Sequence, residues 1–199
     1  MRLAVVNTKG GTSKTTSAVY LASGLHQRGR TLLVDADPQG SALLWSQQGA
    51  GLPFTTVSLP VRDLPRRLSD LGQDYTSIVI DTPPGDVGII RSAVMAVDLA
   101  IVPVSPTGLD LNRMRPTFEL LAELEAVNPV SVGVLLTKVR RGTRSAVAIR
   151  AVLEERRYPV LDAEVPLAEA YASSFGTAPT DLAHYGLVLD ELIGVAVPA

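Results

Sequence analysis

An apolar run, Leu3-Ala4-Val5-Val6, leads directly into Asn7-Thr8-Lys9-Gly10-Gly11-Thr12-Ser13-Lys14-Thr15-Thr16, and this junction restricts the fold more than any other stretch of the chain. The run is short and rich in β-branched residues, as a buried strand is, whereas Ala18, Leu21, Ala22 and Leu25 recur behind it at helical spacing. A glycine-bearing loop therefore joins a strand to a helix. In that setting the backbone N–H groups at the helix N-terminus face an anion, and glycines let the backbone approach it, so the loop is a candidate phosphate cradle. The competing reading is a glycine-rich turn with two surface lysines.

Measured against the general pattern G-x-x-x-x-G-K-[ST], Thr8 stands at the first glycine and Ser13 at the second, with Lys14 and Thr15 in place. By chemistry Lys14 reaches the β- and γ-phosphates, the Thr15 hydroxyl ligates Mg²⁺, and the amides of Gly10, Gly11, Ser13 and Lys14 cradle oxygens, with Thr12 and Thr16 in the same loop. A serine fits position 13 only if the backbone there needs no positive φ. Ser13→Gly is therefore expected to leave nucleotide binding intact or improve it.

Two further strand ends carry carboxylates. Thr31-Leu32-Leu33-Val34 runs into Asp35-Ala36-Asp37-Pro38-Gln39-Gly40, and Tyr75 to Ile80 delivers Asp81 into Thr82-Pro83-Pro84-Gly85. Ligands of open α/β sheets bind at the carboxyl ends of strands. An aspartate closing an apolar strand holds Mg²⁺, usually through water, in phosphoryl-transfer sites. For Asp37 the plainer reading is turn chemistry ahead of the next helix.

Taken together these segments resemble the ParA/MinD family of Walker-type ATPases. KGGTSKTT is similar to its deviant Walker A loop, Asp35 to Gly40 to its DxDPQG element, and Asp81-Thr82-Pro83-Pro84 to its second switch. The resemblance covers nearly the whole chain and implies a doubly wound, mostly parallel α/β sheet with helices on both faces. It implies that Lys9 acts across an ATP sandwich dimer, that Asp37 positions the attacking water, and that Asp35 lies near the hydrated Mg²⁺. It further implies that Pro166 and Leu167 line the adenine pocket, although both also read as a strand end and a core contact. Thr137 and Arg140 stand where GTPases of related fold carry the Asn and Asp of a guanine reader, so ATP is the expected nucleotide.

Charge and composition narrow the function. The net charge is only −2, yet residues 138–157 hold seven basic residues against two acidic ones, and from Tyr158 onward there are six acidic residues and no Lys or Arg. A helix over 143–157 places Val147, Ile149, Val152 and Leu153 inward and leaves Arg144, Arg150, Arg156 and Arg157 to solvent, a set able to neutralise DNA phosphates without reading bases. Arg113 and Arg115 are candidates to join it. A plainly solvated helix face is the competing reading. The chain has no cysteine, which excludes thiolate metal sites and the iron–sulfur relatives of this fold. No apolar run approaches the roughly 18 residues of a membrane span, and the tail from Asp190 lacks the cations with which the MinD branch meets lipid.

The sequence is thus expected to be one domain over 1–199, without a helix-turn-helix extension ahead of the phosphate loop, cytoplasmic and nucleoid-associated. Its expected activity is DNA segregation: ATP and Mg²⁺ close a homodimer on nonspecific DNA, and a centromere-binding ParB-like adaptor stimulates slow hydrolysis. The alternatives are positioning of a protein cargo by the same machine, a nucleotide-sensing scaffold without turnover, and a biosynthetic relative that phosphorylates a small acid.

Overall fold

The structure is a computed structural model describing residues 1–106, 108–140 and 142–196. In chain order the elements are β1 (Arg2–Val5), α1 (Lys14–His26), β2 (Thr31–Asp35), α2 (Ser41–Gln47), β3 (Thr55–Ser58), α3 (Leu64–Leu71), β4 (Ser77–Asp81) and α4 (Val87–Val94). There follow β5 (Leu99–Val104), α5 (Gly108–Glu125), β6 (Ser131–Val139), α6 (Arg144–Glu155), β7 (Val160–Pro166), α7 (Glu169–Ala172) and α8 (His184–Ala196). The strands form one sheet in the order β3-β2-β4-β1-β5-β6-β7, and every neighbouring pair is parallel. This is the doubly wound sheet that the sequence implies.

A parallel sheet needs both faces covered, so its inner strands read as unbroken apolar runs. β2, β4 and β5 are buried at every position, whereas the edge strand β3 has no fully buried residue. One face packs against α1, α2 and α8 through Leu21, Leu25, Trp45, Val188 and Leu192. The opposite face packs against α3, α4, α5 and α6 through Leu64, Leu68, Ile90, Leu121 and Leu153. Pro103 fits inside β5 because β1 pairs with that strand only as far as Ile101; beyond it the Asn7 side-chain amide donates to the Pro103 carbonyl.

One inward assignment shifts: Val147 is 71% exposed on α6, where Ala146, Ile149 and Leu153 form the buried stripe. Helices α4, α7 and α8 go beyond the sequence reading. α4 starts at Asp86, whose side chain accepts the Ile89 N–H, and α8 buries Tyr185, Val188, Leu189 and Leu192 at helical spacing. No helix among the described residues is long and apolar enough to cross a membrane. Residues 197–199 of the tail lie outside the described residues.

The chain winds to one side of β1 through β2, β3 and β4, and to the other through β5, β6 and β7. The crevice at such a reversal, beyond the carboxyl ends of the strands, is where ligands bind. Register makes the location specific: Asp35 pairs with Asp81 across β2 and β4, and Val5 pairs with Asp81 across β1 and β4. Both strand-end carboxylates therefore stand beside the start of the glycine loop.

Candidate nucleotide-binding site

The loop between β1 and α1 borders a cavity of about 420 Å³ lined by Gly10, Gly11, Ser13, Lys14, Thr15 and Thr16, with Asp37 and Pro84 on one side and Lys138, Pro166, Leu167, Tyr171 and Tyr185 on the other. Lys14 is buried, and its Nζ donates to the Lys9 carbonyl at 2.8 Å. Desolvation lowers its pKa, against the opposing charges of Asp81 and Asp37. Thr12 does not line the cavity; its carbonyl faces β6 and its Oγ1 is buried without a partner.

Ser13 corrects the expectation for its position. Its φ is 70°, and it sits directly before the right-handed first turn of α1. The backbone there does need a left-handed residue, and serine occupies it at a cost of about 1–2 kcal/mol relative to an unstrained position. Gly11, two residues earlier, also has a positive φ of 74°. A left-handed residue followed by a helical one turns successive N–H groups to the same side, which makes an anion-binding concavity.

The carboxylates divide the labour. Asp81 is fully buried; its Oδ2 accepts the Thr15 hydroxyl at 2.6 Å, while its Oδ1 has no partner. Burial, followed by the neighbouring Asp35 and Asp37 charges, pushes its pKa up to about 7 against the Thr15 hydrogen bond and the Lys14 charge. A buried carboxylate oxygen left open beside a threonine hydroxyl suits a hard cation with oxygen ligands. Among the described residues no group of three or more Asp, Glu or His would cage a metal alone. A cation here would therefore keep water or phosphate oxygens as its other ligands, as Mg²⁺ does.

Asp35 is committed differently. Its Oδ1 accepts the Asp37 N–H at 3.1 Å and its Oδ2 the Leu43 N–H at 2.8 Å, so it shapes the loop that carries Asp37 into α2. Burial raises its pKa despite those bonds. Asp37 combines both of its readings: its Oδ1 accepts the Gln39 N–H at 2.9 Å in a local turn, and the residue lines the cavity opposite the loop.

Lys9 does not line this cavity. It borders a neighbouring one of about 510 Å³ with Ser105, Lys138, Arg140 and Thr143. At the base of its loop, the Asn7 Oδ1 accepts the Lys9 N–H at 2.9 Å, and the Thr117 hydroxyl accepts the Thr8 N–H at 3.1 Å.

Sequence reasoning missed three contributors. Tyr185 is 1% exposed and its hydroxyl meets Ser17 Oγ at 2.9 Å, while Tyr171 packs edge-on against it with ring centroids 5.6 Å apart. These rings extend the wall begun by Pro166 and Leu167. Burial raises the pKa of both phenols. The third is Lys138, whose Nζ donates to the Gly11 carbonyl at 2.7 Å. Its signal was scarcity: it is the third of only three lysines in the chain.

Of the four arginines assigned to DNA, Arg144, Arg156 and Arg157 are exposed. Arg150 is a correction. Its guanidinium donates to Glu164 at 2.9 Å and to the Leu161 carbonyl at 2.8 Å, fastening α6 to β7, and is not offered to solvent. Arg115 pairs with Glu119 at 2.7 Å. Arg141 and the Arg113 side chain lie outside the described residues.

A family model described as CbiA, the CobQ/CobB/MinD/ParA nucleotide binding domain, matches residues 3–178. The chain is 40% identical over 174 residues to "Maintenance of carboxysome distribution protein A" of Gloeobacter kilaueensis, covering 85% of this chain and 78% of that protein. It is 31% identical over 214 residues to the chromosome-partitioning ATPase Soj of Thermus thermophilus, covering 88% and 85%. Among solved structures, cobyrinic acid a,c-diamide synthase of Mycobacterium smegmatis with bound ATP analogue and magnesium shares the fold at a TM-score of 0.80, with 22% identity over 96% of this chain and 93% of that one.

Proposed function

The chain belongs to the CobQ/CobB/MinD/ParA family of nucleotide-binding domains, and from that premise we propose that it is a Mg²⁺-dependent ParA-type ATPase whose ATP-bound dimer holds nonspecific DNA and distributes a cargo over it. One observation supports this reading above the others: the Thr15 hydroxyl rests on Asp81, whose second oxygen is open and buried, at the foot of a loop with two lysines. A solvated turn has no use for such an arrangement.

In this reading the triphosphate lies on the loop amides and the Lys14 ammonium leaves the Lys9 carbonyl for the β- and γ-phosphate oxygens. The base lies toward Pro166, Leu167 and Tyr171. Thr15 and Asp81 are the residues that would hold Mg²⁺, which when bound neutralises phosphate charge. Asp37 orients the attacking water, and Asp35 fixes the loop that brings Asp37 to it. Lys9, turned to the neighbouring cavity, serves the nucleotide of a second copy across the dimer. Catalysis of this kind is positioning and charge stabilisation, with little covalent chemistry for the protein to perform.

The cargo has two readings. The relative at 40% identity is named for carboxysome distribution, which favours a protein assembly. Soj at 31% is named for chromosome partitioning and keeps DNA segregation, with a ParB-like adaptor, as the second reading. Both use the same ATPase and the same DNA-bound dimer.

The test is binding to a random-sequence duplex with ADP, ATP and a nonhydrolysable ATP analogue at two salt concentrations, beside Lys9→Ala. Binding with triphosphate only, weakened by salt and lost in the variant, is expected. Equal DNA binding with ADP and ATP, or none in any state, would sink the DNA-bound-dimer reading.

A further inference from the structure

All three lysines of this chain meet at one loop, although eighteen residues are Lys or Arg. Lys9 and Lys14 belong to it by sequence, whereas Lys138 reaches it from the end of β6. Three loop carbonyls are held by side chains: Lys9 by the Lys14 ammonium at 2.8 Å, Gly11 by the Lys138 ammonium at 2.7 Å, and Thr12 by the Thr137 hydroxyl at 3.2 Å.

In a trans peptide the C=O and the following N–H lie in one rigid plane and point in opposite directions across the C–N bond, and the described chain has no cis bond. Fixing the carbonyls of Lys9, Gly11 and Thr12 therefore aims the N–H groups of Gly10, Thr12 and Ser13 the other way. Among the described residues these three amides donate to no acceptor. Lys138 makes its contact from a backbone φ of 55°, a conformation that a residue with a side chain adopts only under constraint. With Leu167 it also lines both the nucleotide cavity and the neighbouring cavity that holds Lys9 and Arg140. A compact ammonium suits this place, since a guanidinium fork spreads its donors over a plane.

We propose that Lys138 is a positioning residue of the phosphate site: by holding the Gly11 carbonyl, jointly with Thr137 on Thr12, it fixes the two peptides ahead of Ser13 and so presents the Ser13 amide to the phosphates before nucleotide arrives. The inference rests on the nucleotide reading above. It assigns Lys138 no contact with the reacting atoms; its effect passes through the peptide planes.

The experiment titrates ADP, a nonhydrolysable ATP analogue and adenosine into the full chain and into Lys138→Met, Lys138→Arg and Thr137→Val, with the nucleotide-free Tm of each. Loss of a charge-assisted hydrogen bond predicts that Lys138→Met weakens both phosphate-bearing ligands about tenfold and leaves adenosine binding and Tm unchanged. Thr137→Val weakens the same two ligands by a smaller factor, and Lys138→Arg recovers part of the loss. If Lys138→Met binds both nucleotides as the natural chain does, or loses adenosine in parallel, the proposal is overturned. Should Lys138→Met melt early, Lys138→Arg decides: a restored Tm with restored nucleotide affinity supports the proposal, and a restored Tm with affinity still lost to the same extent as adenosine overturns it. A natural chain that binds none of the three ligands removes the nucleotide reading and this inference with it, a result distinct from loss confined to the variants.

Discussion

The phosphate loop and helix α6 are both cationic, and they use charge in opposite ways. At the loop the cations and hydroxyls that shape it are committed to named partners: Lys14 on the Lys9 carbonyl, Thr15 on Asp81, Lys138 and Thr137 on the carbonyls of Gly11 and Thr12. On α6 one arginine is consumed in fastening the helix to β7, whereas Arg144 on its first turn and Arg156 and Arg157 just past its C-terminus stand exposed. The contrast separates two kinds of function. Chemistry on a phosphate requires amides and cations fixed to within an ångström, so it fixes residue order. Attraction to a polyanion requires only charge on one side, so it fixes a count.

If that contrast is right, substitutions at the loop act steeply and those on α6 act gradually. The largest effect belongs to Lys14→Ala, with steady-state hydrolysis expected to fall by about 100-fold or more, the scale of removing one preorganised charge-stabilising donor. Turnover that survives within a factor of ten would place the chemistry elsewhere.

Asp81→Asn follows, and it has two readouts of opposite sign. With the carboxylate proposed to hold Mg²⁺ removed, hydrolysis is expected to be lost, while the nucleotide-free protein gains stability. The folded pKa of Asp81 lies at about 7, above its value of 3.8 in the unfolded chain. Between those values the folded state binds the extra proton, so this group's contribution to stability falls as pH rises from about 4 to about 7. Asp81→Asn removes that penalty at neutral pH, with a Tm gain of roughly 2–4 °C per kcal/mol relieved. A neutral variant that melts lower than the natural chain at pH 8 would contradict the orphaned, buried carboxylate.

On α6 the expected effects are smaller and separable. Arg156→Ala with Arg157→Ala should lower ATP-dependent affinity for random duplex about tenfold and reduce the salt slope by about two, one for each DNA phosphate that an arginine no longer neutralises. Arg150→Ala should leave DNA affinity alone and lower Tm instead, because its side chain is only 22% exposed and its guanidinium is bonded to Glu164 and the Leu161 carbonyl. The reverse pattern would return Arg150 to the DNA surface.

How much of this was legible follows from the same physics. The strand, loop and helix at the N-terminus, and the aspartates that close β2 and β4, are contiguous in sequence because one strand end delivers each group. Arg150 was not legible: helical spacing shows which way it points along α6, but its partner Glu164 lies on β7, and only folding brings the two together. Tyr171 and Tyr185 escaped for a related reason, since α7 and α8 converge on the cavity from the acidic last part of the chain. Val147 illustrates the limit of periodicity, an apolar side chain that the pattern puts inside and the packing leaves 71% exposed.

The smallest expected effect is the sharpest test of the loop itself. Ser13 takes a φ of 70° without a side-chain cap bond to the start of α1. Replacing it by glycine removes about 1–2 kcal/mol of left-handed strain and gives back about 0.4–1 kcal/mol through the greater freedom of the unfolded chain. The net is a gain on the order of 0.5 kcal/mol, a Tm rise of about 1–2 °C for a chain of this size. Because the backbone keeps its shape, ATP affinity should hold or tighten. A large loss of affinity with the Tm raised would mean that the hydroxyl of Ser13, a residue of the cavity wall, bonds the phosphates directly. The serine would then be a ligand tolerated despite its strain, and the loop would owe its affinity to more than amides and lysines.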